Sequence, residues 1–189
     1  MMKQITKEEV LAQFPEIADI KDETLKQNTL GIWCEVFAQS NWDSLSKAKF
    51  NAVCPGITLV DHTRAVTLGA LAIAEAHKSI FGSEYDKDTL LVCANLHDVC
   101  KLLEQGPDGE SGSHKNQIGK TFQHGFFSGY YAQKYGMPMK IVSILVAHTG
   151  NSKAPLRSPE GIALFYADMH DADRHRLTND LPLHLDKMK

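Results

Sequence analysis

Six histidine and aspartate residues are the strongest candidates for chemistry in this sequence. Imidazole and carboxylate groups together bind Fe, Mn, Zn, Co or Ni, and the four cysteines never have the two-residue gap of a thiolate zinc knuckle. The sequence therefore predicts a transition-metal site with nitrogen and oxygen ligands. The candidate ligands are His62, His97, Asp98, His124, His148 and Asp168.

The adjacent pair His97 and Asp98 carries the most information. Neighbouring residues on a helix point about 100° apart, so both cannot lie in the same apolar stripe. One of them needs a polar partner in the interior, which a metal ion would supply. A single histidine is more often a hydrogen-bonded core or surface residue than a ligand, but the joint pattern favours metal binding.

The elements that position these residues are predicted to be helices. Apolar residues recur at helical spacing without the sustained alternation of a half-buried strand, which indicates an all-α, single-domain helical bundle. Inward-facing residues of several helices can meet around one cavity in a bundle. The helices expected to carry the candidates cover about 59–80, about 86–105, about 120–135, 138–148 and about 158–174.

The N-terminal part is predicted to pack on this bundle. A short helix begins with a capping box at Thr6 and is interrupted at Pro15, and a longer helix covers 22–40. On that helix, Trp33 and Phe37 are expected to form the seam with the bundle rather than a cofactor pocket. The expected divisions are N-terminal helices at 1–58, the main domain at 59–176 and a C-terminal tail at 177–189.

Residues 105–119 are expected to form a mobile loop before His124. They contain four glycines and one proline among mixed polar residues, which is typical of a loop rather than a domain linker. Such a loop would be able to act as a lid over the site.

The composition excludes several classes of protein. A formal net charge of -3 at pH 7 disfavours a protein whose main partner is a nucleic-acid backbone. No segment approaches the roughly 18 uninterrupted apolar residues of a membrane span, and MMKQITKEEV lacks the apolar run of a secretory signal. We therefore expect a cytoplasmic protein with no membrane partner. Its cysteines are expected to be reduced and mostly buried, and they are Cys34, Cys54, Cys93 and Cys100.

The six candidates occur in the order H, HD, H, H, D, within segments that include HDVCK, QHGFF, VAHTG and FYAD. In this pattern the sequence resembles the dinuclear branch of the HD-domain superfamily of metal-dependent phosphohydrolases. The similar region runs from roughly Leu59 to Arg174. Within it, Lys101 follows Asp98 by three residues, as in the family's HDxxK form.

The resemblance implies two divalent transition-metal ions, Fe or Mn in the first place, with Zn, Co, Ni or Mg as alternatives. Asp98 would bridge them, since a shared carboxylate offsets the repulsion between ions about 3.5 to 4 Å apart. The other ligands would be His62, His97 and Asp168 for the first ion, and His124 and His148 for the second. A mononuclear site that His124 and His148 merely line is the alternative.

Lys101 is the second predicted catalytic residue beside Asp98. It lies one helical turn after Asp98, from where its ammonium group would hold a substrate phosphate or stabilise charge in the transition state. The alternative is a surface lysine that pairs with Glu104.

The stretch VAHTG…FYADMHDADR is similar to the bacterial symmetrical diadenosine tetraphosphate hydrolases, in which a histidine-threonine step and an AD…R segment recur. This similarity suggests Arg174 as a phosphate-binding residue, with Lys153 and Arg157 as further substrate contacts. The alternative for all three is that they are solvated, as basic residues near helix ends or in loops usually are. The glycine-rich loop before His124 departs from the pattern and leaves the shape of the pocket open.

The resulting prediction is a metal-dependent phosphohydrolase that acts on a phosphoester or phosphoanhydride of a nucleotide-like small molecule, with its oligomeric state open. A mixed-valent di-iron oxygenase of the same superfamily and a non-catalytic metal-dependent sensor are the alternatives. Asp171 and Asp173 are expected to be solvated. The histidines expected to be solvent-exposed are His77, His114, His170, His175 and His184.

Overall fold

The computed structural model describes residues 4–149 and 152–187, so the last two residues of the expected tail lie outside the described part. Within these residues the fold is all-α apart from one short hairpin, which confirms the predicted fold class. The α-helices are α1 (Lys7–Gln13), α2 (Glu23–Gln39), α3 (Leu59–Phe81), α4 (Lys87–Leu96), α5 (Lys101–Glu104), α6 (Gln117–Thr121), α7 (His124–Lys134), α8 (Met139–Ala147) and α9 (Pro159–Thr178). The strands are β1 (Gln105–Asp108) and β2 (Gly112–Lys115), and 3-10 helices cover Pro15–Asp19, Leu45–Lys47 and Leu185–Lys187.

Helix ends follow from local side-chain chemistry. The side chains of Thr6, Asp22, Asp86 and Ser158 each accept a hydrogen bond from a backbone N–H in the first turn of α1, α2, α4 and α9. Gly82 ends α3 with a φ of 65°, a left-handed conformation that glycine adopts without steric cost. These ends confirm the boundaries expected from the sequence.

The N-terminal helices share one core with the rest of the molecule. Trp33 is fully buried, stacks on Phe14 with ring centroids 4.4 Å apart, and donates its indole N–H to the carbonyl of Asn95 at 3.1 Å. Full burial of a side chain the size of Phe14 contributes about 1.5–3 kcal/mol. This packing is the seam predicted for α2.

The helix expected over about 86–105 is broken in two, so that prediction is wrong. α4 ends at Leu96. In the following turns the backbone N–H of Val99 donates to the carbonyl of Leu96, and that of Lys101 donates to the carbonyl of Asp98, which is the i to i+3 pattern of a 3-10 turn. The carbonyl of His97 accepts a hydrogen bond from the hydroxyl of Ser128 on α7 instead of continuing the helix. Apolar periodicity does not reveal such a break, because a distant side chain satisfies the freed carbonyl.

The segment 105–119 was expected to be a mobile loop, but it contains a hairpin and the start of a short helix. β1 and β2 pair antiparallel with Gln105 opposite Lys115, and Gly109 makes the turn with a φ of 61°. α6 follows, and α7 begins at His124 rather than near residue 120. The strands are four residues each and contain glycine and proline, so they show no alternation that a sequence pattern would detect.

α9 runs to Thr178, beyond its expected end near residue 174. None of the helices in the described part of the chain has the length and apolar character needed to cross a bilayer. The four cysteines are free thiols; Cys34 is half-buried and the other three are buried, as predicted.

Candidate metal centre

The structure brings all six predicted ligands together. His62 lies in the first turns of α3, His97 and Asp98 follow α4, and His124 is the first residue of α7. His148 follows α8, and Asp168 lies in the middle of α9. Their ligand atoms form two groups, each within 4.8 Å, that share Asp98. We call these the first ligand set (His62, His97, Asp98 and Asp168) and the second ligand set (Asp98, His124 and His148).

The two carboxylate oxygens of Asp98 face different histidines. Oδ2 lies 3.0 Å from Nε2 of His62 and 3.6 Å from Nε2 of His97. Oδ1 lies 3.0 Å from Nε2 of His124 and 3.8 Å from Nε2 of His148. One carboxylate therefore stands between two sets of imidazole nitrogens.

Two of the imidazoles are oriented by their own helices. Nδ1 of His97 lies 2.7 Å from the carbonyl of Ala94, and Nδ1 of His148 lies 2.7 Å from the carbonyl of Leu145. A carbonyl oxygen only accepts hydrogen bonds, so each Nδ1 is the protonated nitrogen and each Nε2 keeps a free lone pair. This is the tautomer that a metal ligand needs.

The other two imidazoles are oriented by carboxylates. Nδ1 of His62 lies 2.6 Å from Oδ2 of Asp171, and Nδ1 of His124 lies 2.7 Å from Oε2 of Glu104. Burial would raise the pKa of Glu104, but His124, Lys101 and Lys115 lower it to about 2. The carboxylate is therefore ionised and accepts a hydrogen bond from Nδ1–H of His124. Carboxylate–histidine pairs of this kind orient metal ligands and raise their basicity.

The buried polar atoms fit a divalent cation. Among the described residues, Oδ2 of Asp98 and Nε2 of His148 are buried without a hydrogen-bond partner, although Nε2 of His62 is close to that oxygen. Nε2 of His97 and Nε2 of His62 also face each other at 3.3 Å. Burying a polar atom without a partner is costly, and cations bound at the two ligand sets would remove that cost.

The electrostatics of the first ligand set also suit a cation. Burial alone would lower the pKa of His62, but the carboxylates of Asp168, Asp171 and Asp98 outweigh it and raise the pKa to about 10. Burial would raise the pKa of Asp98, yet nearby Lys101 and the histidines hold it well below its usual value. The carboxylate of Asp98 is therefore ionised, and a metal ion would compete with a proton for His62.

Lys101 is directed at the same carboxylate. Its side chain is 12% exposed, and its Nζ lies 3.5 Å from Oδ2 of Asp98 and 4.5 Å from the ring centroid of Phe50. The ring of Phe50 in turn stacks on His62 with centroids 3.7 Å apart. Glu104 instead contacts His124 and Lys115, so the pairing of Lys101 with Glu104 is not the arrangement found.

Comparison with known proteins identifies the family. The HD domain family matches residues 59–173, which is more than half of the chain. This chain belongs to the HD domain family. HD domains bind divalent metal ions, and the clustered histidines and aspartates of this HD domain form a suitable site.

A curated relative of the HD domain is the dihydroneopterin 2',3'-cyclic phosphate phosphodiesterase of Methanocaldococcus jannaschii. The two are 28% identical over 116 residues, which are 60% of this chain and 46% of the relative. The chain thus spans less than half the length of that relative. No solved structure matches the chain.

Three residues of the centre were not predicted from the sequence. Asp171 was expected to be solvated, but its side chain is only 16% exposed and holds His62, so that prediction is wrong. It lies one helical turn after Asp168, a spacing that points to the same face of α9. Glu104 had been considered only as a partner of Lys101. Phe50 lies outside the matched HD domain in an irregular segment, where no sequence pattern marks it.

Other predictions about surface residues have mixed outcomes. Asp173 accepts hydrogen bonds from the backbone N–H groups of His184 and Leu185, so it holds the C-terminal segment and is not simply solvated. His175 is half-buried, with Nε2 3.4 Å from Oδ2 of Asp171, and His184 is also half-buried. These three expectations of solvation or exposure are wrong. The histidines found exposed, as predicted, are His77, His114 and His170.

The remaining basic candidates are exposed. Lys153 and Arg174 keep their status as predicted substrate contacts. Arg157 lines an apolar cavity of about 400 Å³, together with His77 at the end of α3. His77 is about 22 Å along α3 from His62, at 1.5 Å per residue. Arg157 thus lies near the end of α3 that is remote from the HD motif.

Proposed function

We propose that this protein is a metal-dependent phosphohydrolase that cleaves a phosphoester or phosphoanhydride bond of a nucleotide-like small molecule at a dinuclear centre. The observation that carries the proposal is Asp98, whose two oxygens lie 3.0 Å from histidines of two different ligand sets. A relative named as a phosphodiesterase of a cyclic phosphate supports the phosphoester class.

The proposed metals are two divalent transition-metal ions, Fe or Mn, because the donors are imidazoles and carboxylates without thiolates. His62, His97 and Asp168 would hold the first, His124 and His148 the second, and Asp98 both. A pair of such ions lowers the pKa of a water molecule and polarises a phosphoryl oxygen.

Lys101 is the proposed catalytic side chain of the protein itself. Its ammonium group is largely shielded from water, so its attraction for a phosphate oxygen is stronger than that of a surface lysine. Phe50 restricts it to the side of Asp98. Among the six ligands, His124 has the most exposed side chain, at 17%, so the substrate phosphate would enter beside it and meet Lys101.

More distant parts of the substrate would be bound by basic residues near the centre. Arg174 lies on the same helix as Asp168, and Lys153 follows His148 in the chain, so both stay proposed contacts. Arg157 is a weaker proposal because its surroundings are the apolar cavity beside His77.

The test is metal analysis of protein purified without added metal, followed by an anaerobic screen for phosphate release from nucleotides, dinucleotides and cyclic phosphodiesters. For cyclic phosphodiesters, a phosphomonoester product is measured. Asp98→Ala is the inactive control. Turnover without oxygen is the expected result. Oxygen uptake with a polyol or phosphonate and no hydrolysis would favour the di-iron oxygenase, and tight binding without turnover would favour a sensor.

A further inference from the structure

We infer that Glu104 is a positioning residue for His124, and that its ion pair with Lys115 makes the second metal position depend on docking of the β1–β2 hairpin. This inference rests on the dinuclear centre proposed above. It concerns how the second ligand set is held in shape.

The two carboxylate oxygens of Glu104 contact different residues. Oε2 lies 2.7 Å from Nδ1 of His124, and Oε1 lies 2.7 Å from Nζ of Lys115 at the end of β2. In the tautomer of His124 that donates its Nδ1–H to Glu104, Nε2 is the nitrogen left for a metal ion, and it faces Oδ1 of Asp98 at 3.0 Å. The other tautomer would place an N–H where the metal must bind.

His124 needs this help because of its place in the chain. His97 and His148 follow a completed helix, and the carbonyl three residues earlier holds Nδ1 in each case. His124 is the first residue of α7, so no preceding turn of that helix offers a carbonyl. A side chain from elsewhere must take that role, and Glu104 supplies it.

The hairpin and α6 rest directly on Glu104. The backbone N–H of Asn116 donates to the carbonyl of Glu104 at 3.0 Å, and its side-chain amide donates to the carbonyl of Leu103 at 2.6 Å. At Gly119 an added Cβ would overlap the Cγ and the carbonyl oxygen of Glu104. α6 therefore packs against Glu104 with no space for a side chain at Gly119. A shift of α6 would displace the carboxylate of Glu104.

The test is a Mn²⁺ titration of the metal-depleted protein by calorimetry, which resolves the two binding steps. In Glu104→Gln, we expect the first step to stay within about two-fold and the second to weaken by about 10–100-fold, as for other residues that orient metal ligands. The matched control is Glu110→Gln, an exposed acid in the hairpin turn, which should change neither step.

Substitutions of Lys115 distinguish the effect of the hairpin from the effect of the Glu104 carboxylate alone. Lys115→Met should weaken only the second step, by less than Glu104→Gln does, whereas Lys115→Arg should restore it because the cation is kept. Lys120→Met, at an exposed lysine of α6, is the control. A Lys115→Met protein that binds the second ion normally would overturn the dependence on hairpin docking.

The remaining outcomes separate this inference from the proposed function. Two ions bound by wild type and by Glu104→Gln with equal constants would overturn the inference and leave the dinuclear centre standing. Equal weakening of both steps in Glu104→Gln would also overturn it, because a general structural role would then explain the loss. A wild-type protein that binds a single ion would overturn both proposals.

Discussion

The two ligand sets share Asp98 but are held by different means. In the first ligand set, His62 and Asp168 lie within the two longest helices, and His97 directly follows α4, all three nearly without exposure. In the second, His148 is equally buried, but His124 begins a helix beside the hairpin and its side chain is 17% exposed.

Helix packing and side-chain hydrogen bonds therefore preorganise metal ligands to different degrees. Long helices packed against each other are placed by many apolar contacts, so a ligand within them is fixed by the core itself. A ligand at a helix start beside short elements depends on a few hydrogen bonds, which open at lower free energy. We therefore expect the first metal position to bind more tightly than the second.

The largest expected effect comes from the residue that both ligand sets share. Asp98→Ala should remove both ions and abolish phosphohydrolase activity, whereas His148→Ala should leave close to one ion because it belongs only to the second ligand set. Elemental analysis of the two purified variants measures this. Equal and complete metal loss in both would remove the division into two ligand sets.

The next effect separates catalysis from metal binding. Lys101→Met keeps the aliphatic volume but removes the charge near Asp98, so kcat should fall by about 10²-fold with metal content unchanged. Lys78→Met, at an exposed lysine of α3, is the control and should keep full activity. Undiminished activity of Lys101→Met with both metals bound would place Lys101 outside the mechanism.

A smaller effect tests the first ligand set alone. Asp171→Asn replaces the carboxyl group that holds Nδ1 of His62, so the tighter of the two Mn²⁺ binding steps should weaken by about 10–100-fold while the other is kept. Asp173→Asn is matched to it on the same helix and should lower the melting temperature without changing either constant, because Asp173 accepts hydrogen bonds from the backbone of His184 and Leu185 and holds no metal ligand. If Asp171→Asn acts on the weaker step, the comparison of the two sets is reversed.

The smallest expected effect is that of Phe50, which touches the first ligand set from outside the matched HD domain. Phe50→Leu removes a cation–π contact of about 0.5–1 kcal/mol, so kcat should fall only by about two- to five-fold. Phe50→Tyr keeps the ring face and should restore the rate. Steady-state kinetics with metal-loaded protein decides this, and a normal rate in Phe50→Leu would limit Phe50 to packing.

The types of the candidate ligands and most helix ends could be predicted from the amino-acid sequence. The order of His62, His97-Asp98 and Asp168 pointed to the candidate metal ligands, which the structure brings together, because ligand chemistry belongs to individual side chains. Caps such as Thr6 and Ser158 act within three residues, so their effects are readable from adjacent letters.

The residues that support these ligands became known from the folded structure. Asp171 reaches His62 across 109 positions of the chain, and Glu104 reaches His124 across 20. The break after Leu96 depends on a hydroxyl from α7, and the hairpin closes through pairing of residues on different strands. Contacts between distant positions follow from how helices pack, and side-chain periodicity along one helix does not encode which partner it meets.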